Sequence, residues 1–247
     1  MMGITESVLV PLLRTEASRP LITHYDDEQG SRVELSVATT ANWAAKTANW
    51  LREETELEPG DPVGFTLPPH WQTLGILFGV WWCGGDVRTE APGAPIAFVP
   101  EGGSVDGGSA DAELTAEVSL HPMGLGLSGE PTGGAIDFVE DARLHGDDFV
   151  AIDPAGPETA ALAGQPVATV LERARERASE LGIERGTRVL STADWTIPDG
   201  LVDVLAVFAA GGALVQCTNV SAQCTSADPA KLEERANTER CTLLLPA

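Results

Sequence analysis

Five residues stand where this chain most easily places chemistry. The stretch "PPHW" (68–71) supplies His70 and Trp71, and "ADWTIPDG" (193–200) supplies Asp194, Trp195 and Asp199. Each stretch directly follows a short apolar run that reads as a buried strand. In a doubly wound sheet, ligands collect beyond the carboxyl ends of the strands. Two tryptophans, one histidine and two carboxylates lining one crevice suit a neutral or weakly acidic small molecule with a flat apolar part. The competing expectation is packing, with Trp71 and Trp195 at a lobe interface and Asp199 capping its helix.

Other constellations offer less. The histidines His24, His70, His121 and His145 are scattered, and Cys83, Cys217, Cys224 and Cys241 form no CxxC pair. Neither set has metal-ligand spacing, so no metal and no cofactor are expected. "GLGLSG" (124–129) has the letters of a dinucleotide fingerprint. That mechanism needs a strand before the glycines and a helix after them, whereas Pro122 and Met123 precede and Glu130 and Pro131 follow. It reads as a loop. No GxSxG elbow occurs, and no serine or cysteine has a histidine in a suggestive place, so no catalytic residue is assigned.

The elements that must position the five residues come in two copies. In the first, Val37, Ala41, Ala44, Ala48 and Leu51 recur at spacings of four and three, which predicts one apolar stripe on a helix with Trp43 and Trp50 on its flank. "EPGD" (58–61) is a turn, "PVGFTL" (62–67) a buried strand, and Leu74, Leu77, Phe78 and Trp81 one face of a second helix stopped by Gly84 and Gly85. In the second copy Val167, Val170, Ala174, Ala178 and Leu181 make the stripe, "RVLST" (188–192) the strand, and Leu201, Val204, Leu205 and Phe208 the second helix. Gly60, Val63 and Thr66 match Gly186, Val189 and Thr192 at an offset of 126 (186 − 60), and the second helices match at 127 (201 − 74).

Helix–strand–helix–strand order with fully apolar strands implies a parallel sheet covered on both faces. The fold expected is therefore α/β, doubly wound, with mainly parallel sheets and two pseudo-repeated βα lobes, 1–150 and 151–247. "HYDDEQGSRVELS" (24–36) reads as a hairpin before the first copy, and "FVAIDPAGPETAAL" (149–162) stands in the equivalent place before the second. Between the copies "PIAFV", "LTAEVSL" and "AIDFV" are strand candidates among glycine-rich loops. Near the end, "DPAKLEERANTER" (228–240) reads as a helix capped by Asp228 with Pro229 first, and "CTLLL" (241–245) as a last strand.

Composition narrows the partners. The 247 residues carry 37 acidic against 15 basic side chains, a formal net charge of −22, and the only lysines are Lys46 and Lys231. Such a surface repels phosphate backbones and anionic lipid, so neither nucleic acid nor membrane is an expected partner. Acids spread along the whole length fit adaptation to high salt, where self-repulsion is screened. The first twenty residues lack a basic region and a cleavage site, and no apolar run is long enough to span a bilayer. A soluble, cytoplasmic protein is expected.

"RPLITHYDDEQGSRVELSVATTANWAAKTANWL", "ELEPGDPVGFTLPPHWQTLGILFGVWWCGG" and "LGIERGTRVLSTADWTIPDGLVDVLAVFAAGGALVQ" together resemble the N-terminal part of the acyl-adenylate-forming (AMP-binding) superfamily. That superfamily includes acyl-CoA synthetases, luciferases and the adenylation domains of peptide synthetases. The chain looks closer still to short stand-alone proteins carrying this part alone. The resemblance implies the N-terminal fold of acyl-CoA synthetases, and it also locates departures. The family's Ser/Thr/Gly-rich loop ending in Pro-Lys, which grips ATP, would fall within "HGDDFVAIDPAGPETAALAGQPV" (145–167). That segment has no lysine, no glycine-threonine run and several acids, and a carboxylate cannot replace a phosphate donor. The family's adenine- and ribose-binding motifs and its lysine-bearing lid would lie beyond Ala247. The aromatic–histidine turn that shapes its acyl pocket falls at "ADWTIPDG", which keeps Trp195 and lacks the histidine. The resemblance thus implies a truncated, non-adenylating relative, binding a small acyl or aromatic ligand or acting as an interaction module with a partner protein or a second copy. The alternative is half of a split AMP-dependent ligase completed by a partner chain.

Overall fold

Each apolar stripe becomes a helix, and each run between turns becomes a strand. The computed structural model describes residues 2–103, 112–220 and 229–245. The chain opens on α1 (Ile4–Glu16), followed by the hairpin β1 (Pro20–Asp26) and β2 (Ser31–Ser36). The first copy is α2 (Val37–Glu54), β3 (Pro62–Phe65), α3 (Trp71–Cys83) and β4 (Asp86–Arg88). Then come β5 (Ile96–Pro100), β6 (Leu114–Val118), β7 (Ile136–Asp137) and α4 (Phe138–Ala142). A second hairpin, β8 (Ala160–Leu162) and β9 (Gln165–Pro166), precedes the second copy: α5 (Val167–Glu180), β10 (Arg188–Ser191), α6 (Asp199–Ala209) and β11 (Ala213–Thr218). α7 (Pro229–Glu239) and β12 (Leu243–Leu245) follow.

Local chemistry explains the boundaries. The Ser36 hydroxyl accepts from the Thr39 amide and starts α2, filling one of the amides a helix start leaves unpaired. α3 stops at Gly84, whose φ of 87° is the left-handed conformation that terminates helices. The stripe residues Val37, Ala44, Ala48, Leu51, Val170 and Ala174 are all at or near zero exposure. α2 and α3 cross at close range through Gly79, where an added Cβ would stand 2.4 Å from Thr47 Cβ.

The strands form two sheets, ordered β12-β10-β11-β1-β2 and β7-β6-β5-β3-β4-β8-β9. All neighbours are parallel except the two hairpins. The second order repeats the first, element for element from β5 onward, with the hairpins exchanged. β1 pairs with β11 of the second copy, from Ile22–Leu214 to Asp26–Thr218, and β8 pairs with β4 of the first copy at Val87–Leu162. α3 touches both sheets, through β4 and β1, and meets α6 at Phe78–Phe208, with ring centroids 6.0 Å apart. The fold is mixed α/β with mainly parallel sheets.

Three elements differ from the sequence reading. α1 is an additional helix that buries Ile4, Val8, Leu9 and Leu12. "AIDFV" splits after two strand residues, because the Asp137 carboxylate accepts the amides of Val139 and Glu140 and so starts α4 instead. The second hairpin occupies only the end of its stretch, with residues 149–159 running ahead of it as irregular chain. α7 begins at Pro229, as expected, while Asp228, Cys224 and residues 104–111 lie outside the described residues. No helix among the described residues is long and apolar enough to cross a membrane.

Candidate functional site

The turns after β3 and β10 face each other across a cavity of about 330 Å3. Its first wall is Phe65, Thr66, Leu67, Pro68 and Pro69, and its second is Asp194, Trp195, Thr196 and Ile197, with Thr89 beyond β4. These walls are the equivalent turns of the two copies. The site lies on the pseudo-symmetry relation between them, outside the carboxyl ends of parallel strands.

Each wall is fixed by its own side chains. The Thr73 hydroxyl donates 2.7 Å to the Pro68 carbonyl, tying the Pro-Pro turn to α3. On the other side the Ser191 hydroxyl accepts from the Ala193 amide, and the Trp195 indole N–H donates 3.1 Å to Gln216 Oε1. Gln216, itself on β11, returns its amide to the Ala193 carbonyl. Gly200 lets α6 start hard against this turn: a Cβ there would stand 2.6 Å from the Asp194 carbonyl.

Of the five residues singled out from the sequence, Asp194 and Trp195 line the cavity, Asp194 exposed and Trp195 buried. The other three point elsewhere. Trp71 is buried against Trp43, with centroids 5.7 Å apart, and donates to the Pro122 carbonyl. His70 turns inward to cap α3, its Nδ1 accepting the Gln72 amide, and its ring sits edge-on to His24 with centroids 4.6 Å apart. Asp199 is the first residue of α6; it makes no cap hydrogen bond and pairs with Arg173 at 2.8 Å.

The His24–His70 pair had no signal in the sequence, since 46 positions (70 − 24) separate its members. Both rings are buried. Desolvation lowers His24 to about 4, against a smaller opposing pull from Asp26, and lowers His70 well below the usual histidine range, with His24 adding to the effect. Both are therefore neutral at pH 7, and His24 Nε2 lies 2.9 Å from the Thr218 hydroxyl.

The segment where the resemblance put a phosphate-gripping loop contains a two-residue hairpin turn, Ala163–Gly164, both at positive φ. The Ala163 amide donates to the Val87 carbonyl, and the Gly164 amide to both carboxylate oxygens of Asp86, at 3.1 and 3.0 Å. Asp86 is fully buried and also accepts from Arg88 Nε at 2.7 Å. The other nearby arginine, Arg173, bonds Gln165 and Asp199. The turn's amides and both cations are thus already engaged, and a triphosphate does not fit them. Among the described residues no basic side chain lines the 330 Å3 cavity. Among the described residues no group of three or more His, Cys, Asp or Glu could hold a metal ion.

No family model matches the chain. A protein of Mycobacterium tuberculosis (strain ATCC 25618 / H37Rv), described as a TIGR03089 family protein, is 41% identical over 248 residues, covering 98% of this chain and 98% of its own length. Solved structures share the fold at lower identity. An acyl-CoA synthetase of Brucella canis superposes with a TM-score of 0.73 at 13% identity, covering 98% of this chain and 47% of the synthetase. The N-terminal domain of FACL13 from Mycobacterium tuberculosis gives 0.67 at 12%, covering 99% and 62%. The anthranilate CoA ligase AuaEII, in complex with anthranoyl-AMP, gives 0.65 at 15%, covering 86% and 44%. The chain spans about half the length of the two whole ligases.

Proposed function

The chain belongs to the TIGR03089 family, and from that premise we propose that it is a small-molecule-binding protein that keeps the N-terminal fold of acyl-CoA synthetases without their adenylating chemistry. The observation that carries this reading is the Ala163–Gly164 turn closed onto buried Asp86. A backbone amide that would receive phosphate oxygen instead donates to a fixed carboxylate, and a second anion brought there meets repulsion. The cavity between the two turns supports the binding half of the proposal. Its volume of about 330 Å3 suits a small acyl or aromatic group. Pro68, Pro69, Leu67, Ile197 and the Trp195 ring supply apolar contact, and Asp194 favours a neutral ligand over an anionic one.

Calorimetry at high salt with ATP, AMP and benzamide tests the proposal, together with Trp195 fluorescence read against Trp195→Phe. Benzamide is expected to bind and to change the Trp195 signal, and ATP and AMP are expected to give no heat. ATP binding, or ATP–pyrophosphate exchange dependent on an acyl substrate, overturns it.

A second reading, one half of an AMP-forming ligase completed by a partner chain, is favoured by Leu244. That side chain is 59% exposed on β12, which among the described residues pairs with β10 alone. Co-purification of a lysine-bearing second half that restores exchange would support it, and a strictly monomeric protein in native pull-downs counts against it.

A further inference from the structure

Lys46, Asn49 and Arg52 stand three residues apart on α2 and hold one strand of irregular chain by its carbonyls. Lys46 Nζ donates to His145 O at 2.7 Å, Asn49 Nδ2 to Gly146 O and Asp148 O at 3.1 and 2.9 Å, and Arg52 to Val150 O at 3.4 Å. Further on, Ala155 is buried beside Gly84 at the end of α3. Between these two moorings residues 151–153 bridge a cavity of about 200 Å3, at the opposite end of α3 from Trp71. Leu57, Pro59 and Cys83 line it from the helix ends, and Phe149 from the bridge. Phe149 is held edge-on to Trp82, centroids 5.6 Å apart, with the Arg52 guanidinium 5.0 Å over its ring. The Cys83 thiol registers the same apolar surroundings: burial pushes it up to about 12.

We propose that this cavity is a second binding site, for a neutral single-ring aromatic molecule. Size sets the ring: an apolar cavity of roughly 150 Å3 stays dry and takes up benzene, so this one accommodates a substituted ring. Charge sets neutrality. Glu56 and Asp153 stand at the lining and repel carboxylates, while Arg52 is already engaged by the Phe149 face, by Asn49 Oδ1 at 2.6 Å and by the Val150 carbonyl. Among the described lining residues the two carboxylates outnumber the Arg52 charge, so an anion is disfavoured.

The test is methyl NMR on the full chain, following Leu57 and Ala151 during titration with toluene and, separately, with sodium benzoate. Toluene is expected to shift both methyls saturably, with benzoate at least about tenfold weaker, a difference of about 1.4 kcal/mol. Two variants occupy the space from opposite sides, Cys83→Leu from the floor and Ala151→Phe from the bridge. Each is expected to weaken toluene binding by at least about tenfold, and the bridge variant avoids the core should the floor variant fail to fold. Absent shifts up to the solubility limit of toluene, equal affinity for benzoate, or undiminished toluene binding in a folded variant overturns the proposal.

Discussion

Replacing His24 by glutamine removes one of two buried imidazoles that must stay neutral in the folded protein. The unfolded histidine titrates near 6.5, while in the fold desolvation lowers His24 to about 4. Between those values the unfolded chain binds the proton and the folded chain does not. Stability is therefore intact above about pH 6.5 and is lost as pH falls toward the folded value. For one such group, linkage gives a loss of about 2 kcal/mol between pH 8 and pH 5. His70 acts in the same direction. The carboxylates are common to both chains and cancel in the difference. Urea unfolding in high salt at pH 8 and pH 5 is the assay. His24→Gln should narrow the gap in unfolding free energy between the two pH values by about 2 kcal/mol. Glutamine can still reach the Thr218 hydroxyl, so stability at pH 8 should fall by less than that. Equal gaps in the two proteins would refute the claim that these rings are held neutral by burial.

Three further outcomes follow from close contacts. Gly79→Ala gains about 1 kcal/mol of helix propensity but forces a Cβ to 2.4 Å from Thr47 Cβ; a net loss of about 1–3 kcal/mol should appear as a lowered urea midpoint at constant slope. Asp86→Ala strands the Gly164 amide and leaves Arg88 without its carboxylate; a loss of about 2 kcal/mol with no gain of ATP binding is expected, by denaturation and calorimetry. Glu239 accepts from Tyr25, Arg32 and Arg188. Burial alone would raise its carboxyl, but Arg32 and its other partners outweigh that and lower it. Its contribution is present above the ordinary carboxylate range and lost as pH falls through the lowered folded value, so the deficit of Glu239→Gln should shrink in strong acid.

Much of the scaffold was legible because burial writes a period into the sequence. Val37–Leu51 and Val167–Ala178 carry their stripes at helical spacing, and the glycines that end α3 and α6 are where a left-handed residue is needed. α1 escaped because Pro11 interrupts its pattern, although the helix carries the proline on its exposed side. The exchange of hairpins was illegible in principle. Nothing in the residues of β1 names its neighbour, and the strand it joins lies nearly two hundred residues away. The same limit explains the site. Sequence puts His70 and Trp71 immediately after β3, but Pro68 and Pro69 turn the chain before they are reached. The wall is then made by the prolines, and the histidine and tryptophan are carried into the core.

The same turn sets one wall of the cavity. Its two walls belong to different copies, and a hinge between the copies would open and close it. The exchanged hairpins join the sequence of each copy to the sheet of the other. β1 follows α1 and leads into α2 of the first copy, yet its ladder from Ile22 to Asp26 is hydrogen-bonded to β11, whose Gln216 holds Trp195 in the opposite wall. β8 likewise leads into the second copy while lying beside β4, and its neighbouring turn is fixed by Asp86. Moving one wall away from the other leaves each ladder within its own sheet but must part the packing between the sheets, where α3 touches β4 and β1 and its Phe78 meets Phe208 of α6. The gap between Pro69 and Trp195 is thus set by how the two sheets pack against the helices between them.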